Sequence, residues 1–133
     1  HGSTFGGNPL AMAAGIATLQ ALRQPGVYTG LESLAASLEE GLKRAAQKRG
    51  VPVQVNRAGS MLTLFFTSSR VMDYDSARAA DTRRFAGYFH AMLEAGIYLP
   101  CSQFEALFLS LAHTDEEVAT TVRASEQALA RLP

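Results

Sequence analysis

Two periods of apolar and polar positions divide this chain. From Leu10 to Leu22 apolar side chains fall on nearly every side, which predicts a buried helix. Asn8 stands at its N-cap and Pro9 at its first helical position. An asparagine oxygen accepts from freed backbone N–H groups there, and proline has no N–H to leave unpaired. Gln24-Pro25-Gly26 ends the run. Between Val27 and Arg49 the leucines at 31, 34, 38 and 42 recur in steps of three and four, while Glu39, Glu40, Lys43 and Arg44 lie largely off that stripe. This predicts an amphipathic helix, stopped by Gly50.

The period then shortens. Residues 51–55 alternate as a strand does, with Pro52 at its start or on a sheet edge. Ala58-Gly59-Ser60 reads as a turn and Met61 to Phe66 as a second strand, so the two can form a hairpin. Residues 67–75 read as loop. Helical spacing returns from Ser76 to Ala95, with Phe85, Phe89, Met92 and Leu93 on one side and Gly96 as the stop. Ile97-Tyr98-Leu99 reads as a short strand, residues 100–105 as loop, and Ala106 to Leu111 as a further strand. Thr114 and Glu117 have the spacing of a capping box, opening a last helix that runs towards Leu132. The order predicts an α+β fold, a small antiparallel or mixed sheet with helices packed on one face. No repeat or linker interrupts it, so residues 1–133 read as a single domain.

Composition narrows the classes. The 133 residues are 47% hydrophobic and 18% charged, as in globular chains. A domain of this size buries roughly two-thirds of its unfolded surface. Twelve basic residues balance twelve acidic ones, which argues against a nucleic-acid or anionic-membrane surface as the main function. No apolar run reaches transmembrane length. The single cysteine, Cys101, excludes an internal disulfide and a cysteine-rich metal site, and suits a reducing cytoplasm. The three histidines lack metal-ligand spacing, so no metal is expected. The chain opens on His1 inside a glycine-rich loop, as a piece of a longer protein would.

Three places can carry chemistry. The loop from His1 to Pro9 combines glycines, the hydroxyls of Ser3 and Thr4, and a helix start, a setting that favours an anion such as phosphate. The same residues also read as a lead-in to a well-capped helix. Ser102-Gln103-Phe104-Glu105 lies between two expected strands, where Glu105 can accept from an amine or move a proton, or can simply be a solvated carboxylate on a turn. His113, just before a capped helix, can face a ligand or bond locally to backbone. His90, beside Phe89, reads as structural. The only lysines, Lys43 and Lys48, fall on the polar side of an amphipathic helix. Neither has the sheltered setting that a Schiff-base lysine needs.

Thr4-Phe5-Gly6-Gly7-Asn8-Pro9-Leu10-Ala11-Met12-Ala13-Ala14-Gly15 resembles the segment that opens the C-terminal part of class III, fold-type I aminotransferases. Later blocks resemble the glutamate-1-semialdehyde 2,1-aminomutase branch of that family. They are Gly59-Ser60-Met61 with Leu64-Phe65-Phe66-Thr67; Phe89-His90 through Gly96-Ile97-Tyr98-Leu99; and Ser102-Gln103-Phe104-Glu105-Ala106 with Ser110-Leu111-Ala112-His113-Thr114. The resemblance runs almost end to end. The Ser3-Thr4-Phe5-Gly6-Gly7 version of the first loop is more similar to acetylornithine or ornithine aminotransferases, which makes a class III ω-aminotransferase the alternative.

The resemblance implies a cytoplasmic homodimer that uses pyridoxal 5'-phosphate, and its pyridoxamine form, to convert glutamate-1-semialdehyde to 5-aminolevulinate for tetrapyrrole synthesis. It implies that Thr4, with Ser3 beside it, binds the cofactor phosphate across the dimer interface. It places Glu105 near the substrate's amino groups. The Schiff-base lysine would then belong to a large domain upstream of His1, with residues 1–25 as the loop and helix that link to it. On that reading the isolated chain is inactive, a folding or dimerisation module of the complete enzyme.

Overall fold

The computed structural model describes residues 4–132. Five helices and three strands follow in the order α1 (Pro9–Leu22), α2 (Val27–Arg49), β1 (Gln54–Ala58), β2 (Met61–Phe65), α3 (Tyr74–Arg78), α4 (Thr82–Glu94), β3 (Leu107–Phe108) and α5 (Asp115–Leu129). The sheet is antiparallel throughout, in the order β1-β2-β3. β1 and β2 form a hairpin in which Ala58 faces Met61 across the two-residue loop Gly59-Ser60. Gly59 there adopts φ +58°, the positive value that tight hairpin loops demand.

Alternation along β2 sorts its side chains. Leu62 and Leu64 point into the main core with Phe66 just beyond them. Ala35, Leu38, Leu42, Ala45 and Ala46 from α2, Val55 from β1, Phe85, Tyr88 and Met92 from α4, and Val118, Ala124, Ala128 and Leu129 from α5 complete that core. Phe65, of opposite parity to Leu62 and Leu64, joins Val71, Ala77 and Ala80 in a small second cluster under α3. The expected α+β arrangement is therefore the one found.

The caps follow local chemistry. Asn8 Oδ1 accepts from the N–H of Leu10 and Ala11 at 3.0 and 3.4 Å. Thr114 and Glu117 exchange the two bonds of a capping box at the start of α5. Gly50 and Gly96 adopt φ +66° and +81° after α2 and α4. In each case the following N–H returns to the helix, Val51 to the Ala46 carbonyl and Ile97 to that of Met92, as in a Schellman motif.

Four expectations need correction. α1 is not buried: Leu10, Met12, Ile16 and Leu19 are all exposed, because no other described element packs along it. The expected helix over residues 76–95 is two helices. Asp73 opens α3 by a capping box with Ser76, and Asp81 opens α4 by accepting from Arg83 N and Arg84 N. The Asp81 N–H is meanwhile bonded to the Phe66 carbonyl, which holds the break in place. Residues 97–99 form no strand. Ile97 commits its N–H to the α4 cap, although Ile97 and Leu99 still pack against the core. Finally, β1 begins at Gln54 rather than at residue 51, and β3 shrinks to two residues, Phe108 opposite Met61 and Leu107 opposite Leu62. Among the described residues no helix is long and apolar enough to cross a membrane.

Candidate functional site

Ser102 to Glu105 is a tight turn: the Glu105 N–H bonds to the Ser102 carbonyl at 3.1 Å, and the Phe104 N–H to Ser102 Oγ at 3.2 Å. The turn is tied down on two sides. Thr63 Oγ1 on β2 donates to the Glu105 carbonyl at 3.4 Å. Gln103 turns inward, only 2% exposed, and its Nε2 donates to the Ala77 carbonyl of α3 at 3.0 Å. The Glu105 carboxylate is left exposed, with the Cys101 thiol 4.0 Å from Oε1.

His113 is fixed by a local bond. The Ser110 N–H donates to its Nδ1 at 3.0 Å. A backbone N–H needs a lone pair to meet, so in the neutral ring the proton sits on Nε2. Ser102, Glu105 and His113 line one cavity of about 130 Å³, together with Thr63, Tyr98 and core leucines such as Leu62. Three polar side chains from one short stretch, 102–113, thus sit over an apolar floor that β2 and the core leucines supply, the mix of a few polar groups on an apolar lining that ligand pockets use.

The first loop lies elsewhere. Thr4 is exposed, is followed by a turn closed by the Asn8 N–H on the Phe5 carbonyl, and does not line that cavity. Ser3 lies outside the described residues. Because Asn8 occupies the N–H groups of Leu10 and Ala11 and Pro9 has none, an anion at this loop would rely on the Thr4 hydroxyl, the loop backbone and the helix dipole. Gly7 has no heavy atom within 4 Å of where a Cβ would stand, so that backbone is open to approach.

Both lysines are in surface ion pairs, Lys43 with Glu39 at 2.5 Å and Lys48 with Glu126 at 2.6 Å. The shifted carboxyls lie in such pairs and caps. Lys43, then Arg57, holds Glu39 below the usual carboxylate range, and the Thr114 backbone and hydroxyl hold Glu117 down. Sequence reasoning missed Thr63 and Tyr98. The available signal for Thr63 was a lone hydroxyl at an outward position of an otherwise apolar strand.

Residues 1–129 match the family model described as Aminotransferase class-III. The chain is 57% identical over 94% of its length to the glutamate-1-semialdehyde 2,1-aminomutase of Heliobacterium modesticaldum. It is 59% identical over 96% of its length to that of Anaeromyxobacter dehalogenans. It spans 29% of each of these relatives. Among solved structures, a β-phenylalanine aminotransferase from Variovorax paradoxus covers the whole chain at 29% identity with a TM-score of 0.83, the chain spanning 31% of it. A glutamate-1-semialdehyde-aminomutase from Pseudomonas aeruginosa PAO1, solved in complex with PMP, shares the fold with a TM-score of 0.86 at 24% identity over 99% of this chain and 29% of its own. With the family model matched over nearly its whole length, this chain belongs to the class-III aminotransferase family.

Proposed function

We propose that this chain is the C-terminal part of a pyridoxal-phosphate-dependent glutamate-1-semialdehyde 2,1-aminomutase. The complete enzyme would move an amino group from C2 to C1 of its substrate, giving 5-aminolevulinate for tetrapyrrole synthesis, and would work as a cytoplasmic homodimer. The observation that carries this reading is the 57–59% identity to aminomutases over at least 94% of the chain.

The residues present suit the cofactor. An exposed Thr4 hydroxyl and an open glycine backbone supply donors for a phosphate, and the dipole of the 14-residue α1 favours its charge. In the complete enzyme Thr4, with Ser3, would hold the phosphate, the loop reaching the partner subunit's site. Bound pyridoxal phosphate supplies the electron sink for amino transfer. The exposed Glu105 carboxylate would accept from the substrate's amino group and orient it between the two half-reactions. His113, with its proton on Nε2, would offer a donor to a substrate oxygen. The Leu62 side of the cavity keeps bulk water from that end of the pocket. The Schiff-base lysine would come from the large domain, since Lys43 and Lys48 are engaged on the surface of α2.

The test is turnover by the purified complete enzyme. An aminomutase converts glutamate-1-semialdehyde with no added keto acid. A strict requirement for 2-oxoglutarate would replace this reading with a class III ω-aminotransferase, which the Ser3-to-Gly7 loop and the 29% identity to the Variovorax enzyme favour.

A further inference from the structure

Gln103 is one of two buried polar residues in the described core, the other being Ser125. Ser125 is satisfied by the Tyr88 hydroxyl at 2.9 Å. Gln103 is not: its Nε2 donates to the Ala77 carbonyl, while its Oε1 is buried with no partner. Turning the amide over would set Oε1 against the Ala77 carbonyl, oxygen to oxygen, so the orphaned atom is fixed by chemistry. A buried acceptor without a partner works against stability. A methionine of the same length would fill the space without that defect. Packing alone therefore does not account for a glutamine here.

Its place in the turn does. Gln103 and Phe104 are the two central residues between Ser102 and Glu105, and both reach α3. Gln103 bonds to the Ala77 carbonyl, and the Phe104 ring lies 5.9 Å from that of Tyr74. The Gln103 bond is the buried one, directional and shielded from water. It sets the depth and rotation of the turn, and so the direction in which Glu105 leaves it.

We infer that Gln103 is a positioning residue for Glu105, holding the Ser102–Glu105 turn on α3 through its buried amide bond to the Ala77 carbonyl. This rests on the reading of Glu105 given above. It acts through Glu105 and touches no substrate itself.

The experiment is a double-mutant cycle in the complete enzyme, combining Gln103→Met with Glu105→Gln. Gln103→Met should lower kcat by about tenfold to a hundredfold, the range of a slight misplacement of a reacting group, with KM, cofactor absorbance and Tm close to the parent. In the Glu105→Gln background the same substitution should cost nothing further. An equal loss in both backgrounds, or full activity of Gln103→Met, overturns the inference. Full activity of Glu105→Gln alone removes Glu105 from the reaction, which is a separate result, and overturns the inference with it. Should Gln103→Met fail to fold, Gln103→Glu decides. Its protonated carboxyl can donate to Ala77 and its ionised form cannot. A new fall in kcat on the alkaline side, absent in the parent, is expected, and an unchanged pH profile would refute the assignment.

Discussion

Arg57 Nε donates to Glu39 Oε2 at 2.6 Å, and Nη1 of the same guanidinium reaches Glu32 Oε1 at 2.6 Å. One side chain on β1 thus bridges two carboxylates seven residues, or about two turns, apart on α2, and Lys43 joins the cluster through Glu39. The Arg57 and Glu39 side chains are largely covered, unlike most other ion pairs on this surface. A fork that meets two carboxylates has a geometry that isolated surface pairs lack.

That cluster makes stability pH-dependent. Glu39 is held below its ordinary value of 4.5 by hydrogen bonds from Lys43 and then Arg57. The unfolded chain therefore binds the proton more readily, and the contribution of Glu39 is complete above about 4.5 and is lost as pH falls through the lowered folded value. Glu39→Gln should lower Tm by a few degrees at pH 7. The gap to the parent should close in acid. A gap that stays constant from pH 7 to pH 3 would exclude this cause.

Tyr88 and Ser125 are both fully enclosed between α4 and α5, and the Tyr88 hydroxyl donates to Ser125 Oγ. Tyr88→Phe leaves a buried hydroxyl alone and should cost about 1–3 kcal/mol. Ser125→Ala should cost a similar amount, and the double variant less than the sum. Denaturant unfolding of the four proteins measures it. Burial also pushes the Tyr88 phenol from 10.0 up to about 12. Its contribution to stability is thus complete below pH 10 and falls as pH rises towards 12. Ultraviolet titration should show one tyrosine that resists ionisation until the protein unfolds.

Gly41 sits where α2 crosses α5. A Cβ there would overlap a methyl group of Val122, and a β-branched side chain has little freedom to turn away. Gly41→Ala should destabilise by about 1–3 kcal/mol, although alanine favours helix by about 1 kcal/mol over glycine in an open interior position. Val122→Ala in the same chain should recover most of the loss. A rise in Tm for Gly41→Ala alone would mean that the two helices can part without cost.

In the complete enzyme, Thr4→Val keeps the shape of the side chain and removes its hydroxyl. If Thr4 holds the cofactor phosphate, the lost charge-assisted bond should weaken cofactor retention by about 1.5–3 kcal/mol, read as faster loss of cofactor absorbance on dialysis, with the fold intact. Unchanged retention would take Thr4 out of the site.

Where a helix or turn depends on its own neighbours, the chain could be read directly. Asn8-Pro9, Gly50, Gly59-Ser60 and Thr114 with Glu117 act over two to five residues, and each does in the fold what its spacing predicts. The α2 stripe was legible for the same reason, since Leu38 and Leu42 need only helical geometry to share a face. The candidate turn was legible as a cluster of polar types between apolar runs. Its exposed Glu105 and its buried Gln103 were not distinguishable, because which side chain turns inward depends on α3.

What local chemistry leaves open, distant partners decide. The break at residues 79–81 comes from the Phe66 carbonyl taking the Asp81 N–H, and residues 97–99 lose their strand because Ile97 caps α4. The apolar run of α1 predicts burial, yet burial requires a covering surface, and none of the described elements supplies one. The meeting of Ser102, Glu105 and His113 over one cavity likewise depends on how the sheet, α2 and the 97–109 segment pack. Spacing within a few residues is set by backbone geometry alone, whereas the convergence of remote side chains is set by the packing of the whole core.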